Sequence, residues 1–208
     1  MRRVIHGNEI GGNMKHQETK KLVVTGLLAA IVVVLQTFAS AIRIGQFNLT
    51  LSLIPIIIGA ILYGPAVGGF LGGVFGVVVI IGVLSGTEPM STMMFETNPV
   101  MTVFLCMIKG IMAGVMSGLV YKALEKKNEL VATGAAAIIA PIMNTGIFSI
   151  LVYTVFSDVL NHFAEALGFP NGGKFLLVGI IGTNFLFELF TNVILVPVVA
   201  RILKVVKV

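Results

Sequence analysis

The sequence predicts an all-α membrane protein, a bundle of six transmembrane helices whose N- and C-termini both lie in the cytoplasm. Three observations support this fold class: 57% of the 208 residues are hydrophobic, only 11% are charged, and the mean hydropathy is +1.03. A soluble domain of this length is nearer a quarter charged and under half apolar. The composition therefore excludes a soluble globular fold.

Six apolar segments, bounded by charged residues or by Gly and Pro, are candidates for helices in the membrane. A hydrocarbon core about 30 Å thick needs roughly 20 apolar residues per helix. The predicted helices cover residues 21–42, 50–63, 66–84, 99–123, 131–155 and 174–203. The second is short for a span, so we expect it to be tilted or partly buried. The third is rich in glycine, which is typical of helices that pack closely in lipid.

Basic residues predict the orientation of this bundle. Of the 14 Lys and Arg, eleven lie on one side of the predicted helices, two lie on the other, and Lys109 lies in the membrane. Because cytoplasmic loops carry an excess of Lys and Arg, both termini are expected in the cytoplasm. Residues 1–20 then form a cytoplasmic tail, and residues 21–206 form a single transmembrane domain.

The two longest polar connections, 85–98 and 156–173, lie on the outer side of the membrane in this topology. Within the second, apolar residues recur at helical spacing from Val159 to Leu167, which predicts a short surface helix. This segment is either a plain connector or a lid over an outward-facing site.

Neither a cofactor nor a catalytic centre is expected from the sequence. The single cysteine, Cys106, excludes a disulfide framework, and the three histidines lie outside the apolar segments, so no metal site is predicted. The chain has no Walker sequence and no histidine near a buried carboxylate or serine. Its net charge of +5 comes from residues at segment ends, which is not the basic stripe of a nucleic-acid-binding protein.

Two ionisable residues, Lys109 and Glu188, lie within predicted spans, where such groups are costly and normally face the bundle interior. At about 1.5 Å per residue, Lys109, Asn144 and Asn184 lie roughly 15 Å below the outer surface, and Glu188 lies roughly 20 Å below it. Strongly polar residues from three helices therefore share one depth. Together they predict a ligand-binding cavity.

The last predicted helix carries Asn184, Glu188 and Asn192 at four-residue intervals, so they form one polar stripe with Thr191 beside it. Thr145 is the neighbour of Asn144 and joins the predicted binding set. Residues near the first loop are weaker candidates for the rim of the cavity: Gln36, Thr37, Gln46, Asn48 and Thr50. An alternative interpretation is structural, with Lys109 and Glu188 as a buried ion pair and the asparagines as hydrogen bonds between helices.

Three stretches give the chain a resemblance to a known family. They are Lys21–Ala30, Phe47–Pro65 and the Asn184-x-x-x-Glu188-x-x-x-Asn192 pattern. In these stretches and in size and topology, the chain resembles the substrate-binding S component of energy-coupling factor (ECF) vitamin transporters, in particular the riboflavin- and pantothenate-like branch.

The resemblance implies a six-helix protein that binds a vitamin from outside and docks on a transmembrane T subunit carried by two cytoplasmic ATPases. Helix 1 of that family meets the T subunit through an Ala-x-x-x-Ala pattern. The nearest match here is Gly26-x-x-x-Ala30, with Ala29 adjacent, although ordinary packing within the bundle is an alternative role for these residues.

Pantothenate is favoured over riboflavin as the ligand. Lys109 is suited to pair with its carboxylate, while Glu188 and the asparagines are suited to its hydroxyl and amide groups. The chain has no Trp and only three Tyr, although Phe185, Phe187 and Phe190 are available for stacking on a ring.

Two other functions remain open at this point. The first alternative is a self-sufficient proton-coupled carrier with Glu188 as the relay. The second is a structural subunit whose buried polar residues hold helices together. Six helices without visible duplication are a poor match to inverted-repeat carriers.

Overall fold

The structure is a computed structural model that describes the backbone of residues 2–41, 43–44, 47–48 and 51–206, and the side chains of 17–38 and 51–201. The helices of these residues are α1 (Arg2–Ala41), α2 (Leu53–Tyr63), α3 (Pro65–Leu84), α4 (Pro89–Thr97), α5 (Pro99–Leu124), α6 (Glu129–Val155), α7 (Ser157–Ala166), α8 (Gly172–Lys174), α9 (Leu186–Ile194) and α10 (Val196–Val206). A π-helical segment, π1 (Phe175–Phe185), connects α8 to α9.

Five helical segments of the described residues are long and apolar enough to cross a membrane: Gln17–Phe38, Pro65–Leu84, Pro99–Leu124, Glu129–Val155 and Gly172–Arg201, here called the last span. The sixth predicted helix is α2, which has 11 residues and is therefore about 16 Å long. Most of its side chains are buried among the other helices. The all-α membrane class is confirmed, with five long helices and one short buried one.

The predicted last helix is divided into α8, π1, α9 and α10, and the structure differs from the predicted elements in three other places. Helix α1 begins at Arg2 and ends at Ala41, so it includes the segment predicted as a tail. The connection 85–98 contains α4. Two short antiparallel strands, β1 (Arg43–Ile44) and β2 (Phe47–Asn48), follow α1, with Arg43 opposite Asn48.

Helices α3 and α5 pack backbone to backbone through glycines. Gly68 and Gly72 on α3 lie against Gly114 and Gly110 on α5, and a Cβ atom at any of these positions would overlap the main chain of the facing glycine. At Gly76 a Cβ would lie 2.8 Å from the carbonyl oxygen of Cys106. The four-residue spacing keeps these glycines on one face of each helix, so the helices approach as closely as their backbones allow.

Buried apolar side chains form two clusters. The α2 core collects residues of α1, α2, α3, α5, α6 and α10, among them Ile56, Leu71 and Phe75. The α7 core joins residues of α4, α5, α6, α7 and π1, among them Leu160 and Phe175. The predicted surface helix over 159–167 is confirmed as α7, and its apolar face is buried in the second cluster.

Candidate functional site

A cavity of about 120 Å³ lies where residues of the two cores meet, which is room for several water molecules. Phe75 and Val79 of the α2 core and Phe175 and Ile180 of the α7 core contribute to its wall. Among the described residues, its polar lining consists of Gln36, Glu88, Ser91, Lys109, Asn144, Thr145, Asn184 and Glu188. Such a lining, polar on one part and aromatic on another, is typical of a site for a small organic molecule.

The structure brings together most of the residues that the sequence singled out. Lys109 of α5, Asn144 and Thr145 of α6, and Asn184 and Glu188 of the last span all line this cavity. They come from three separate helices, so the common depth inferred from the sequence corresponds to one place in the fold. That these residues bind a ligand remains a prediction.

Glu188 and Thr145 form a hydrogen bond across the cavity floor. The Thr145 hydroxyl donates to Oε2 of Glu188 over 3.1 Å, and the two residues are only 4% and 2% exposed. The bond joins α6 to the last span. A carboxylate that accepts a hydrogen bond in a buried site is oriented for contact with a ligand donor.

Asn144 carries an unsatisfied acceptor at the cavity. Its side chain is 5% exposed, and its Oδ1 atom has no hydrogen-bond partner in the described part of the chain. Buried polar atoms are nearly always hydrogen-bonded in folded proteins, since leaving one unpaired costs about 1–3 kcal/mol. A ligand donor placed in the cavity would satisfy this atom.

Lys109 lies close to two aromatic rings. Its Nζ atom is 5.0 Å from the ring centroid of Phe148 and 5.8 Å from that of Phe75. The interpretation of Lys109 and Glu188 as a buried ion pair stays a prediction. Cation–π contacts stabilise an ammonium group while leaving it able to accept an anionic partner.

Several predicted residues lie elsewhere. Asn192 borders a separate narrow cleft with Ile54, Ile57 and Thr133, and Thr191 donates to the carbonyl oxygen of Phe187 on its own helix over 2.8 Å. Both residues follow Glu188 by about one turn and so lie below the cavity floor. The side chain of Asn48, like Gln46 and Thr50 as a whole, is outside the described part of the chain.

The aromatic residues predicted to stack on a ligand are not the ones at the cavity. Phe187 and Phe190 are on the outer surface of the bundle, 43% and 65% exposed, and Phe185 does not line the cavity. The cavity phenylalanines are instead Phe75, Phe148, Phe163 and Phe175, from four different elements.

Two segments between the long helices also border the cavity. Glu88 lines it just before α4, and α4 itself contributes Met90 and Ser91. Helix α7 contributes Phe163. Thr92 of α4 donates to the carbonyl oxygen of Val83 over 3.0 Å, which fixes α4 to the end of α3. Helix α4 begins at a proline, and so does α5, which follows it. Because proline favours the first turn of a helix, these prolines could have predicted α4 from the sequence.

Helix α1 meets the cavity from one side and presents small residues on the other. Gln36 lines the cavity and accepts a hydrogen bond from the Ser52 hydroxyl over 2.9 Å. Thr37, the other rim candidate on this helix, is exposed. Gly26 and Ala30 are exposed as well, while Ala29 packs against the α2 core.

Comparison with known families agrees with this architecture. A family model described as "ECF transporter, substrate-specific component" matches residues 20–200. The chain therefore belongs to the family of substrate-specific components of ECF transporters, and the resemblance noted in the sequence is confirmed.

Two similar proteins are curated as transporters of one vitamin. The pantothenate transporter PanT of Leuconostoc mesenteroides subsp. mesenteroides is 29% identical over 201 residues, covering 91% of this chain and 95% of the relative. The pantothenic acid transporter PanT of Lactococcus lactis subsp. cremoris is 28% identical over 193 residues, covering 88% and 92%. With its five long apolar helices, the chain is a multi-pass protein of a bacterial plasma membrane. The carrier and structural-subunit functions are not favoured.

Proposed function

We propose that this chain is the high-affinity binding subunit for pantothenate of an ATP-driven ECF transporter. The observation that carries the proposal is the cavity, where one ammonium group, two buried or half-buried carboxylates and an unsatisfied amide oxygen lie beside four phenylalanine rings. The names of the two PanT relatives support the choice of vitamin.

The chemistry of pantothenate matches the cavity group by group. Its carboxylate pairs with the Lys109 ammonium, because a charge-assisted hydrogen bond is stronger than a neutral one. Its hydroxyl and amide N–H groups donate to Glu188 and to Oδ1 of Asn144, and Asn184 is available to its carbonyl oxygen. Its geminal methyl groups pack on the phenylalanines. Riboflavin, with a large fused ring system, has less to gain from separate single rings.

The proposed topology has both termini in the cytoplasm and six helices in the membrane, with α2 crossing only part of it. The basic residues at the chain ends and between α5 and α6 support this orientation. The cavity then opens toward the outside beneath α4 and α7, and these two helices act as its cover. The tail of residues 1–20 is cytoplasmic in this arrangement.

The proposed partners are a transmembrane T subunit and two cytoplasmic ATPases, which hydrolyse the ATP, so this chain is not an enzyme. The small residues Gly26 and Ala30, with Ala29 beside them, are the proposed docking site on α1. A Cβ atom at Gly26 would meet nothing within 4 Å among the described residues, so Gly26 itself is not used for packing with them. Small residues on an exposed face allow a second helix to approach closely.

The vitamin is tested by comparing pantothenate with panthenol, in which a hydroxymethyl group replaces the carboxylate. Isothermal titration of the purified protein is expected to show pantothenate binding about 10- to 100-fold more tightly, since a hydrogen bond to a charged group contributes about 1.5–3 kcal/mol. Lys109→Met should remove this difference by weakening pantothenate alone. If Lys109→Met binds both compounds as the unsubstituted protein does, Lys109 does not contact the carboxylate. No binding of either compound would contradict the proposed ligand.

The docking site is tested by a bulky substitution on α1. Gly26→Leu should leave pantothenate binding unchanged but abolish ATP-dependent uptake in vesicles that contain the partner subunits. Gly134→Leu is the matched control, because a Cβ at Gly134 also meets nothing within 4 Å but the residue lies on α6. Normal uptake by Gly26→Leu would move the docking surface away from this face.

A further inference from the structure

The upper half of the last span is wound as a π-helix, over 11 residues from Phe175 to Phe185. Such winding usually occurs as a single turn within an α-helix, often at a functional site. Here it covers the cavity-lining residues Phe175, Ile180 and Asn184, while Glu188 lies in α9. The length of the segment indicates a role in placing side chains.

The winding decides which residues face the cavity. In an α-helix, Leu177 would lie about two turns (seven residues) before Asn184 and would face the cavity with it. Phe175 would lie about two and a half turns (nine residues) before Asn184 and would point away from the cavity. The structure has the reverse arrangement. Phe175 lines the cavity and is 1% exposed, whereas Leu177 is 63% exposed on the outer surface.

The π-helical winding also explains a straight column of inward-facing residues. Leu176, Ile180, Asn184, Glu188 and Asn192 follow one another at four-residue steps, and all are buried except the half-buried Asn184. In an α-helix four residues overshoot one turn by about 40°, so such a column drifts around the helix. In a helix with i→i+5 hydrogen bonds, four residues fall short of a turn, and the drift reverses. The drift of the column in the π-helical half of the span therefore offsets its drift in the α-helical half.

Thr183 stabilises the wide turns from the membrane-facing side. Its hydroxyl donates to the carbonyl oxygen of Val178, five residues earlier, over 3.1 Å. Gly182 fits the same turn, since a Cβ atom at that position would lie only 3.1 Å from the carbonyl oxygen of Leu177. Thr183 itself is exposed, so replacing it leaves no internal gap.

We propose that the π-helical winding, held by Thr183, is the positioning element that places Phe175 and Ile180 above Asn184 and Glu188 in the ligand site. Thr183 acts through the backbone and does not touch the ligand. The proposal rests on the proposed function to the extent that the cavity is taken to be a ligand site. It adds a residue outside the cavity that controls the shape of the cavity wall.

Cysteine labelling tests the winding without any ligand. The only cysteine is Cys106, so Cys106→Ala gives a cysteine-free background. In that background, a water-soluble methanethiosulfonate reagent should modify Phe175→Cys from the cavity at least tenfold faster than Leu177→Cys, which faces lipid. Modification of Leu177→Cys in preference to Phe175→Cys would overturn the proposal, because that is the result an α-helix gives.

Pantothenate binding then tests the role of Thr183. Thr183→Val should weaken binding about three- to tenfold, the range expected for loss of one hydrogen bond, whereas Thr183→Ser keeps the hydroxyl and should bind as the unsubstituted protein does. Equal affinity of all three proteins, or equal weakening of both variants, would overturn the proposal. If the unsubstituted protein does not bind pantothenate, the proposed function fails, and the labelling result alone decides whether the winding places Phe175 at the cavity.

Discussion

The α3–α5 pair and the last span use the same four-residue spacing for different purposes. On α3 the repeated residue is glycine, so the backbones of α3 and α5 touch, and half of an apolar 18-residue stretch of this helix is buried inside the bundle. In the last span the repeated residues are polar or large, and only 22% of the corresponding stretch is buried. Spacing determines which residues share a face, and side-chain size determines whether that face closes on a neighbour or lines a cavity.

The two regions also differ in how they hold the candidate site. Phe75 directly precedes Gly76 on α3, and Lys109 directly precedes Gly110 on α5. The contacts of these glycines therefore fix the Phe75 ring and the Lys109 ammonium group, which lies 5.8 Å from the ring centroid. The opposite wall comes from the last span, whose position depends on π-helical winding and on the bond between Thr145 and Glu188. One wall is therefore fixed by close packing, and the other by hydrogen bonds.

The largest effect is expected from Gly72→Ala in the close-packed wall. The new methyl group would overlap the main chain of Gly110, so the helices must separate. Overpacking of this kind costs about 1–3 kcal/mol or more, which should lower the thermal unfolding temperature in detergent by several degrees. Gly26→Ala is the control and should leave that temperature unchanged, because its methyl group meets no neighbour. Equal stability of the two variants would contradict the close contact.

A different kind of effect is expected from Glu188→Gln in the opposite wall. Glutamine keeps the shape of the side chain and an oxygen that accepts from Thr145, so the unfolding temperature without ligand should not fall. Pantothenate binding should weaken by about 10- to 100-fold, because a neutral acceptor replaces a charged one. A large loss of stability with unchanged affinity would instead assign Glu188 a purely structural role.

Hydropathy and spacing predicted much of this arrangement. Apart from the start of α1, the apolar segments predicted the ends of the long helical segments within a few residues, because length and charge in a membrane are tightly constrained. The rarity of polar groups in such segments also made Lys109, Asn144 and Glu188 conspicuous, and all three line one cavity. These predictions depended only on position along a helix, which the sequence gives directly.

The aromatic wall and the winding of the last span could not be predicted in the same way. Phe185, Phe187 and Phe190 were chosen because they lie close to the polar stripe in sequence, whereas the cavity receives Phe148 and Phe163 through contacts between distant elements. Counting at 3.6 residues per turn also places Phe175 on the wrong face of the last span. Nothing in the local hydropathy distinguishes π-helical from α-helical winding.

The smallest effect is expected from Asn192→Leu, which separates the lower end of the polar stripe from the site. Asn192 is 3% exposed and borders a narrow cleft with Ile54 and Ile57 rather than the cavity. Its Nδ2 atom has no hydrogen-bond partner among the residues that the structure describes. Leucine is similar in size and removes the unpaired donor, so the unfolding temperature should stay the same or rise.

Pantothenate affinity of Asn192→Leu should remain within about twofold of the unsubstituted protein, while the same substitution at Asn184 should weaken it about tenfold through loss of a hydrogen bond at the cavity. A comparable loss of affinity in both variants would extend the site downward past Glu188. A loss of affinity at Asn184 but not at Asn192 would instead place the lower limit of the site at Glu188. Beyond Glu188 the polar stripe faces the apolar α2 core, where an amide group has no ligand to contact.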